Sequence, residues 1–233
     1  IFTKPAVEIG MDLTKEMPEM MPASHTNLGG VIIDCGGRTE IPGLFACGEV
    51  TGGLHGANRL GGGAGAETVV FGHLAGDSAA EYALGVDAPD GATLDAACDE
   101  VMRELKALCV REGENRLEDI RRELGETLHR EMGILRSRES IARAAETVSR
   151  LKAELEQSAA GSVKAAADYI HCRHMLLLAE IQILASDTRT ESRGVFYRSD
   201  YPETDEKNWN KNIHIRNNGG KMELSLHDAV TEA

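Results

Sequence analysis

Residues 43–76 read GLFACGEVTGGLHGANRLGGGAGAETVVFGHLAG and predict how this part of the chain folds. A short apolar stretch leads into Gly48 and Glu49, and a glycine-dense loop follows that contains one histidine and Arg59. A helix is predicted to begin at about Ala64. Glycine lets a backbone approach a ligand closely, and a helix N-terminus offers free N–H groups with a partial positive charge. The stretch therefore favours a site for a large, flat, partly anionic cofactor with a charged substrate beside it.

The overall charge limits which partners are expected. The chain has 233 residues and a formal net charge of -13, which disfavours nucleic acid or an anionic membrane surface as a partner. An anionic substrate must therefore be attracted by local positive groups. No segment reaches the roughly 20 apolar residues that a membrane-spanning helix needs, so direct membrane insertion is not expected.

Cysteine usage indicates a reducing compartment and hence the cytoplasm. The five cysteines are scattered and show no CxxC spacing, so neither a disulfide framework nor a zinc site is predicted. Three of them, Cys98, Cys109 and Cys172, fall on predicted helices and are expected to be small core residues. His171 and His174 lie three residues apart on a helix, but no carboxylate or cysteine set completes a metal site. No metal is therefore expected.

Residues 1–84 are predicted to form part of an α/β domain. The first 24 residues contain three prolines and are expected to be irregular. Short buried strands are predicted over residues 29–34 and 42–47, followed by a helix over 64–84. The apolar residues expected on the buried face of this helix are Val69, Val70, Leu74 and Ala75.

Residues 85–93 are a predicted linker, because glycine, proline and aspartate cluster there. A helical bundle domain is predicted over 94–188, and Ser137 is a plausible N-cap within it. The predicted helices cover residues 94–111, 116–131, 137–157 and 160–186.

The C-terminal tail, residues 189–233, is predicted to contain a β-hairpin. Residues 212–216 and 221–226 alternate polar and apolar side chains, and the sequence NNGG between them is typical of a hairpin turn.

Three blocks of the sequence resemble the succinate dehydrogenase and fumarate reductase flavoproteins. Residues 48–62, GEVTGGLHGANRLGG, resemble the C-terminal flavin segment of that family. Residues 10–34, GMDLTKEMPEMMPASHTNLGGVIID, resemble its substrate-histidine segment, and residues 189–209, RTESRGVFYRSDYPETDEKNW, resemble its C-terminal signature. The resemblance implies an α+β fold: a partial FAD-binding α/β segment, then an antiparallel bundle of three to four helices, then the hairpin.

The resemblance also implies that the chain is the C-terminal portion of a longer flavoprotein. It begins at Ile1, and it lacks the GxGxxG dinucleotide motif, the flavin-linking histidine segment and the catalytic arginine of the family. We therefore expect a truncated chain, a processed chain or one half of a split enzyme. It should be inactive by itself, with the proton donor upstream.

Arg59 and His25 are the predicted substrate-binding residues. Arginine offers a planar fork of donors that suits a bidentate grip on a carboxylate, although a structural role in neutralising Glu49 or Glu67 is equally open from the residue alone. A lone loop histidine is more often an ordinary surface residue. The resemblance implies that Arg59, next to the flavin, and His25 each bind a substrate carboxylate.

The cofactor-binding residues implied by the resemblance surround the start of the predicted helix. Glu49 would accept hydrogen bonds from the ribityl hydroxyls of FAD, although without the motif a salt bridge or a cap is favoured. Arg59 would lie beside the flavin, and the helix N-terminus would face the edge that becomes anionic on reduction. The residues expected to make backbone contacts are Gly48, Gly62, Gly63 and Ala64.

The sequence leaves three functions open. The first is hydride transfer between flavin N5 and a carboxylate-bearing alkene such as fumarate. The second is a paralogous reductase of another unsaturated acid or an enone, favoured by Asn27 and Leu28 where the family has threonine and methionine. The third is a non-catalytic helical assembly module. The expected partners are the substrate, the N-terminal flavoprotein half and an electron-transfer subunit, through which the protein could lie peripherally at a membrane.

Overall fold

The computed structural model describes residues 10, 12, 14, 15 and 24–229. The irregular structure predicted for residues 1–24 lies almost entirely outside the described residues. The described part forms six helices and one two-stranded antiparallel sheet. The helices are α1 Gly63–Leu84, α2 Gly91–Cys109, α3 Leu117–Glu131, α4 Arg138–Gln157, α5 Val163–Thr188 and the short α6 Glu206–Trp209. The strands are β1 Lys211–Asn218 and β2 Lys221–Asp228.

The hydrophobic core lies within the helical bundle, as the sequence predicts. Apolar residues recur at three- and four-residue steps on α3, α4 and α5, so each helix buries one face. The most deeply buried of them include Ile120, Leu124, Ile141, Leu151 and Leu176, all at most 1% exposed. Short connections between α3, α4 and α5 favour antiparallel neighbours, and α2 packs onto α5. The predicted bundle is confirmed.

Side-chain caps fix where the bundle helices begin. Ser137 accepts a hydrogen bond from the backbone N–H of Ser140, and the Ser140 side chain accepts one from the Ser137 backbone N–H, which confirms Ser137 as the N-cap of α4. Asp90 accepts from the backbone N–H of Thr93 at 2.9 Å. Because of this cap α2 begins at Gly91, three residues earlier than the sequence indicates.

The buried face predicted for α1 is largely wrong. Val69 is 73% exposed, Val70 is 53% exposed and Leu74 is 38% exposed. The residues that α1 buries are instead Glu67, Ala75 and Ser78. Hydrophobic spacing shows which face of a helix is apolar, but it does not show which part of a protein covers that face.

The two strands predicted before α1 are also not regular strands. Residues 29–34 contribute one parallel bridge between Val31 and Thr51, and residues 42–47 contribute one antiparallel bridge between Arg38 and Phe45. A 3₁₀ turn, Gly48–Val50, follows. An apolar run makes a strand possible, but a ladder also needs a partner of similar length.

The predicted hairpin is confirmed and is longer than expected. Strands β1 and β2 pair over their full length, from Lys211 opposite Asp228 to Asn218 opposite Lys221. The base of the hairpin is tied to the bundle by Arg189, which donates to the backbone carbonyl oxygens of Trp209 and Lys211.

The cysteine prediction holds only in part. Cys172 is buried in the core, Cys109 is half-buried and Cys98 is exposed. In the described part of the chain, no group of three histidine, cysteine, aspartate or glutamate side chains is arranged to hold a metal. None of the described helices is long and apolar enough to cross a membrane.

Candidate functional site

Arg59 and His25 meet although they lie 34 residues apart in the sequence. The Nη2 atom of Arg59 lies 3.2 Å from the Nε2 atom of His25. The Nε atom of Arg59 is buried and has no hydrogen-bond partner among the described residues. A buried N–H without an acceptor is costly, so this guanidinium is suited to an anionic ligand that supplies one.

The Glu49 carboxylate holds the segment that carries His25. Its Oε1 atom accepts a hydrogen bond from the backbone N–H of Asn27 at 3.1 Å, and the Thr26 hydroxyl donates to the same carboxylate. These two bonds, with smaller contributions from the charges of Arg59 and His25, lower the pKa of Glu49. Glu49 is therefore an anion that links the 3₁₀ turn to the His25 segment.

A close backbone approach keeps these two segments together. The N–H of Val31 donates to the Val50 carbonyl oxygen at 2.8 Å, and the N–H of Gly52 donates to the Val31 carbonyl oxygen at 3.0 Å. A Cβ atom at Gly30 would lie only 2.1 Å from the Val50 carbonyl oxygen. Only glycine permits this contact, so Gly30 fixes the position of the His25 segment.

The structural alternative for Arg59 is not what the geometry shows. Glu67 is 7% exposed, and its Oε2 atom lies 2.7 Å from the Nε2 atom of His55. Thr51 also donates to Glu67. Within residues 24–229, neither Glu49 nor Glu67 forms an ion pair with Arg59. His55 therefore braces the loop against α1, while Arg59 remains available on the side of His25.

The N-terminus of α1 borders this pair. Gly62 is its N-cap residue, with a φ angle of 83°, and no side chain of the described residues caps the helix. The Gly65 N–H bonds the Gly62 carbonyl oxygen, whereas the Ala64 N–H donates to no backbone acceptor in the described segments. Side chains of Arg59 and His55 lie near Gly63. The uncapped turn leaves positive N–H groups for a ligand beside Arg59.

Two contacts at the site were not predicted from the sequence. Gln182 of α5 donates to the Asn27 side-chain oxygen at 3.4 Å, across 155 residues of sequence. The backbone N–H of Val195 donates to the Ala57 carbonyl oxygen at 3.0 Å. Neither contact leaves a pattern in the sequence, because each depends on how the bundle and tail fold back.

Two family models match the chain. Residues 2–64 match a model described as an FAD binding domain, and residues 121–233 match one described as the fumarate reductase flavoprotein C-terminus. Together they span more than half of the chain. They coincide with the segment that carries His25, Glu49 and Arg59 and with the bundle and tail.

Similar proteins agree with these matches. An uncharacterized FAD-dependent oxidoreductase of Methanocaldococcus jannaschii is 35% identical over 221 residues, which is 94% of this chain and 39% of that protein. The flavoprotein-like polypeptide of the CoM/CoB fumarate reductase of Methanothermobacter marburgensis is 38% identical over 211 residues, covering 89% of this chain and 38% of that polypeptide.

A solved quinol-fumarate reductase with menaquinol molecules superimposes with a TM-score of 0.89 at 31% identity. The match covers 99% of this chain and 41% of that chain. The chain therefore spans about two fifths of the length of the proteins that it matches. It belongs to the fumarate reductase and succinate dehydrogenase family of FAD-containing flavoproteins.

Proposed function

We propose that this chain is part of an FAD-dependent oxidoreductase that interconverts an unsaturated dicarboxylate such as fumarate and its saturated product. The observation that carries the proposal is the pairing of Arg59 with His25. Two cationic or donor side chains meet there, and a buried guanidinium N–H has no described acceptor. A substrate carboxylate would supply that acceptor in a protein whose overall charge is -13.

The residues proposed to hold FAD fit a flavin chemically. The N-terminal turn of α1, with Gly62, Gly63 and Ala64, presents uncapped N–H groups that suit an electron-rich edge. Gly48 and Glu49 lie on the adjoining 3₁₀ turn, where the carboxylate can accept bonds from hydroxyl groups. When bound, FAD would supply two-electron chemistry through hydride exchange at its N5 atom.

The chain's own contribution would be to bind and orient the substrate. Arg59 and His25 would hold carboxylate oxygens and withdraw electron density from the alkene, so that its β-carbon accepts a hydride more readily. Glu49 would keep His25 in place through the backbone N–H of Asn27. The proton donor is proposed to lie in the part of the flavoprotein outside this chain.

The proposed domains are residues 1–84 for FAD and substrate, 94–188 for the bundle and 189–233 for the tail, with 85–93 as a linker. The proposed partners are the remaining flavoprotein polypeptide and an electron-transfer subunit, since similar proteins are themselves named as subunits. We propose a cytoplasmic location, with any membrane contact made through that partner.

The test is turnover by the reassembled flavoprotein. The chain is combined with the remaining polypeptide and FAD, a reduced dye supplies two electrons, and conversion of fumarate to succinate is measured. We expect turnover only with all parts present, and none from this chain alone, because the pyrophosphate cradle lies elsewhere. Fumarate reduction by the isolated chain, or none by the FAD-loaded assembly, would contradict the proposal.

A second substrate class is favoured by Asn27. Its side chain donates to the Gly29 carbonyl oxygen and accepts from Gln182, so an amide stands beside His25 where the family has a hydroxyl. The same assembly should therefore be assayed with other unsaturated acids and with enones. Faster turnover of one of these than of fumarate would favour the paralogous function.

A further inference from the structure

The loop that carries Arg59 receives support from the C-terminal tail. The backbone N–H of Val195 donates to the carbonyl oxygen of Ala57, which lies two residues before Arg59. Between residues 53 and 59, this carbonyl is the only backbone group of the described chain that takes part in a hydrogen bond with another backbone group. The glycine-dense loop therefore depends on a segment that follows it by more than 130 residues in sequence.

Gly194 makes this approach possible. Its φ angle is +58°, a conformation that residues with side chains rarely adopt. A Cβ atom added to it would lie 2.2 Å from the Ala57 carbonyl oxygen and 2.8 Å from the Ala57 Cβ atom. The obstacle would be backbone, which cannot rotate out of the way as a flexible side chain can. Tail and loop therefore touch at a distance that only glycine allows.

The tail is the firmer partner in this contact. Arg193 and Phe196 bond each other's backbones at 2.8 and 3.0 Å and so close a tight turn around Gly194. The Arg193 side chain is held by the fully buried Glu191, and the Arg136 guanidinium lies 5.2 Å from the centre of the Phe196 ring. A misfit at Gly194 should therefore displace the loop rather than the turn.

We propose that Gly194 and the Val195 N–H are positioning elements for the substrate-binding Arg59. They act on Arg59 through Ala57 and touch no substrate themselves. The inference rests on the proposed function, since it assigns the tail a role in placing the guanidinium beside His25. The tail thereby makes substrate affinity depend on the correct docking of the C-terminal signature.

Two matched glycine variants test the proposal in the FAD-loaded flavoprotein. Gly194→Ala is compared with Gly219→Ala, in the hairpin turn, where φ is +59° and nothing lies within 4 Å of an added Cβ. Both variants carry the same backbone strain, and only Gly194→Ala meets a neighbouring backbone. We expect Gly194→Ala to raise the KM for fumarate about 10-fold or more, since a shift of about 1 Å at a positioned group can have effects of that order.

Bound flavin and kcat separate positioning from damage to the fold. Gly194→Ala should keep its full FAD content and lose more in KM than in kcat, because a contact that binds substrate is weakened. Gly219→Ala should keep both constants within about 2-fold, as expected for a surface change without a neighbour. An unchanged KM in Gly194→Ala beside an active wild type would overturn this inference and leave the proposed function standing.

A measurement on the wild-type protein needs no variant. Hydrogen exchange at the Val195 N–H should be slower than in an unstructured peptide, because this group is bonded to Ala57. Unprotected exchange at Val195 would overturn the proposal even if Gly194→Ala failed to fold. If the wild-type assembly reduces no unsaturated acid, the proposed function fails and this inference fails with it.

Discussion

At the scale of single residues, the C-terminal signature is a network of buried ions that satisfy one another. Glu191 is fully buried, and its burial raises the pKa of the carboxyl. Hydrogen bonds from Arg193, from the Asp205 N–H and from Arg189 outweigh that effect, so the pKa is lowered. Arg198 is 1% exposed and donates to Asp200 and to backbone carbonyl oxygens. These charges stabilise the turn that carries Gly194.

Asp200 should give the protein a measurable loss of stability in acid. Its hydrogen bonds from Arg198 are the main reason that its pKa is lowered from 3.8 to about 2. Because the folded pKa lies below the unfolded one, the stabilisation is complete above about pH 4 and is lost as the pH falls towards 2. The shift corresponds to about 2 kcal/mol. Asp200→Asn should therefore lower the free energy of unfolding by about 2 kcal/mol at pH 6 and by almost nothing at pH 2, measured by urea denaturation.

The control for this prediction is Asp119→Asn. Asp119 pairs with Arg122 on the surface of α3, where both side chains are about half exposed. Removing that pair should change stability by less than about 1 kcal/mol at either pH. An Asp200→Asn effect that stays constant between pH 6 and pH 2 would show that the lowered pKa is wrong.

At the scale of elements, the sequence predicts helices well because their ends have local chemical causes. Ser137 illustrates this, since one hydroxyl and one backbone N–H define the start of α4. Strands depend on distant partners, so the apolar runs at 29–34 and 42–47 form only single bridges. The hairpin is the exception, because its own turn supplies the partner strand.

Ser137→Ala should destabilise the bundle by about 1 kcal/mol, because the cap of α4 loses its acceptor. Ser149→Ala on the exposed face of the same helix is the matched control and should be neutral or slightly stabilising, since alanine is the better helix former. Thermal denaturation of the two variants provides the comparison. Equal melting temperatures would mean that the cap does not contribute to stability.

At the scale of the whole molecule, residue types at the site could be predicted but their meeting could not. The resemblance pointed to His25, Glu49 and Arg59, and the structure brings them into one cluster. The contacts of Gln182 and Val195 with this cluster depend on how bundle and tail fold back, for which spacing gives no signal. The exposed face of α1 has the same origin, because local pattern does not reveal what covers it.

The proposed division into domains predicts where a protease cuts first. Residues 85–90 are exposed and lie between α1 and α2, whereas Ser158, Ala159 and Ala160 between α4 and α5 are buried. Thermolysin should therefore cleave near Val86 and Ala88 well before it cleaves near Ala159. Mass spectrometry of the early fragments would reveal the order, and first cleavage at residues 158–162 would be incompatible with a linker at 85–93.

The central claim is that Arg59 binds a substrate carboxylate beside FAD. It is tested most directly by titrating the FAD-loaded flavoprotein with succinate and following the flavin absorption. Arg59→Met should weaken binding by about 10- to 100-fold, as expected for the loss of a charged hydrogen bond. Arg122→Met, which removes an exposed arginine of α3, should bind like the wild type. Equal succinate affinities in the wild type and Arg59→Met would contradict the account.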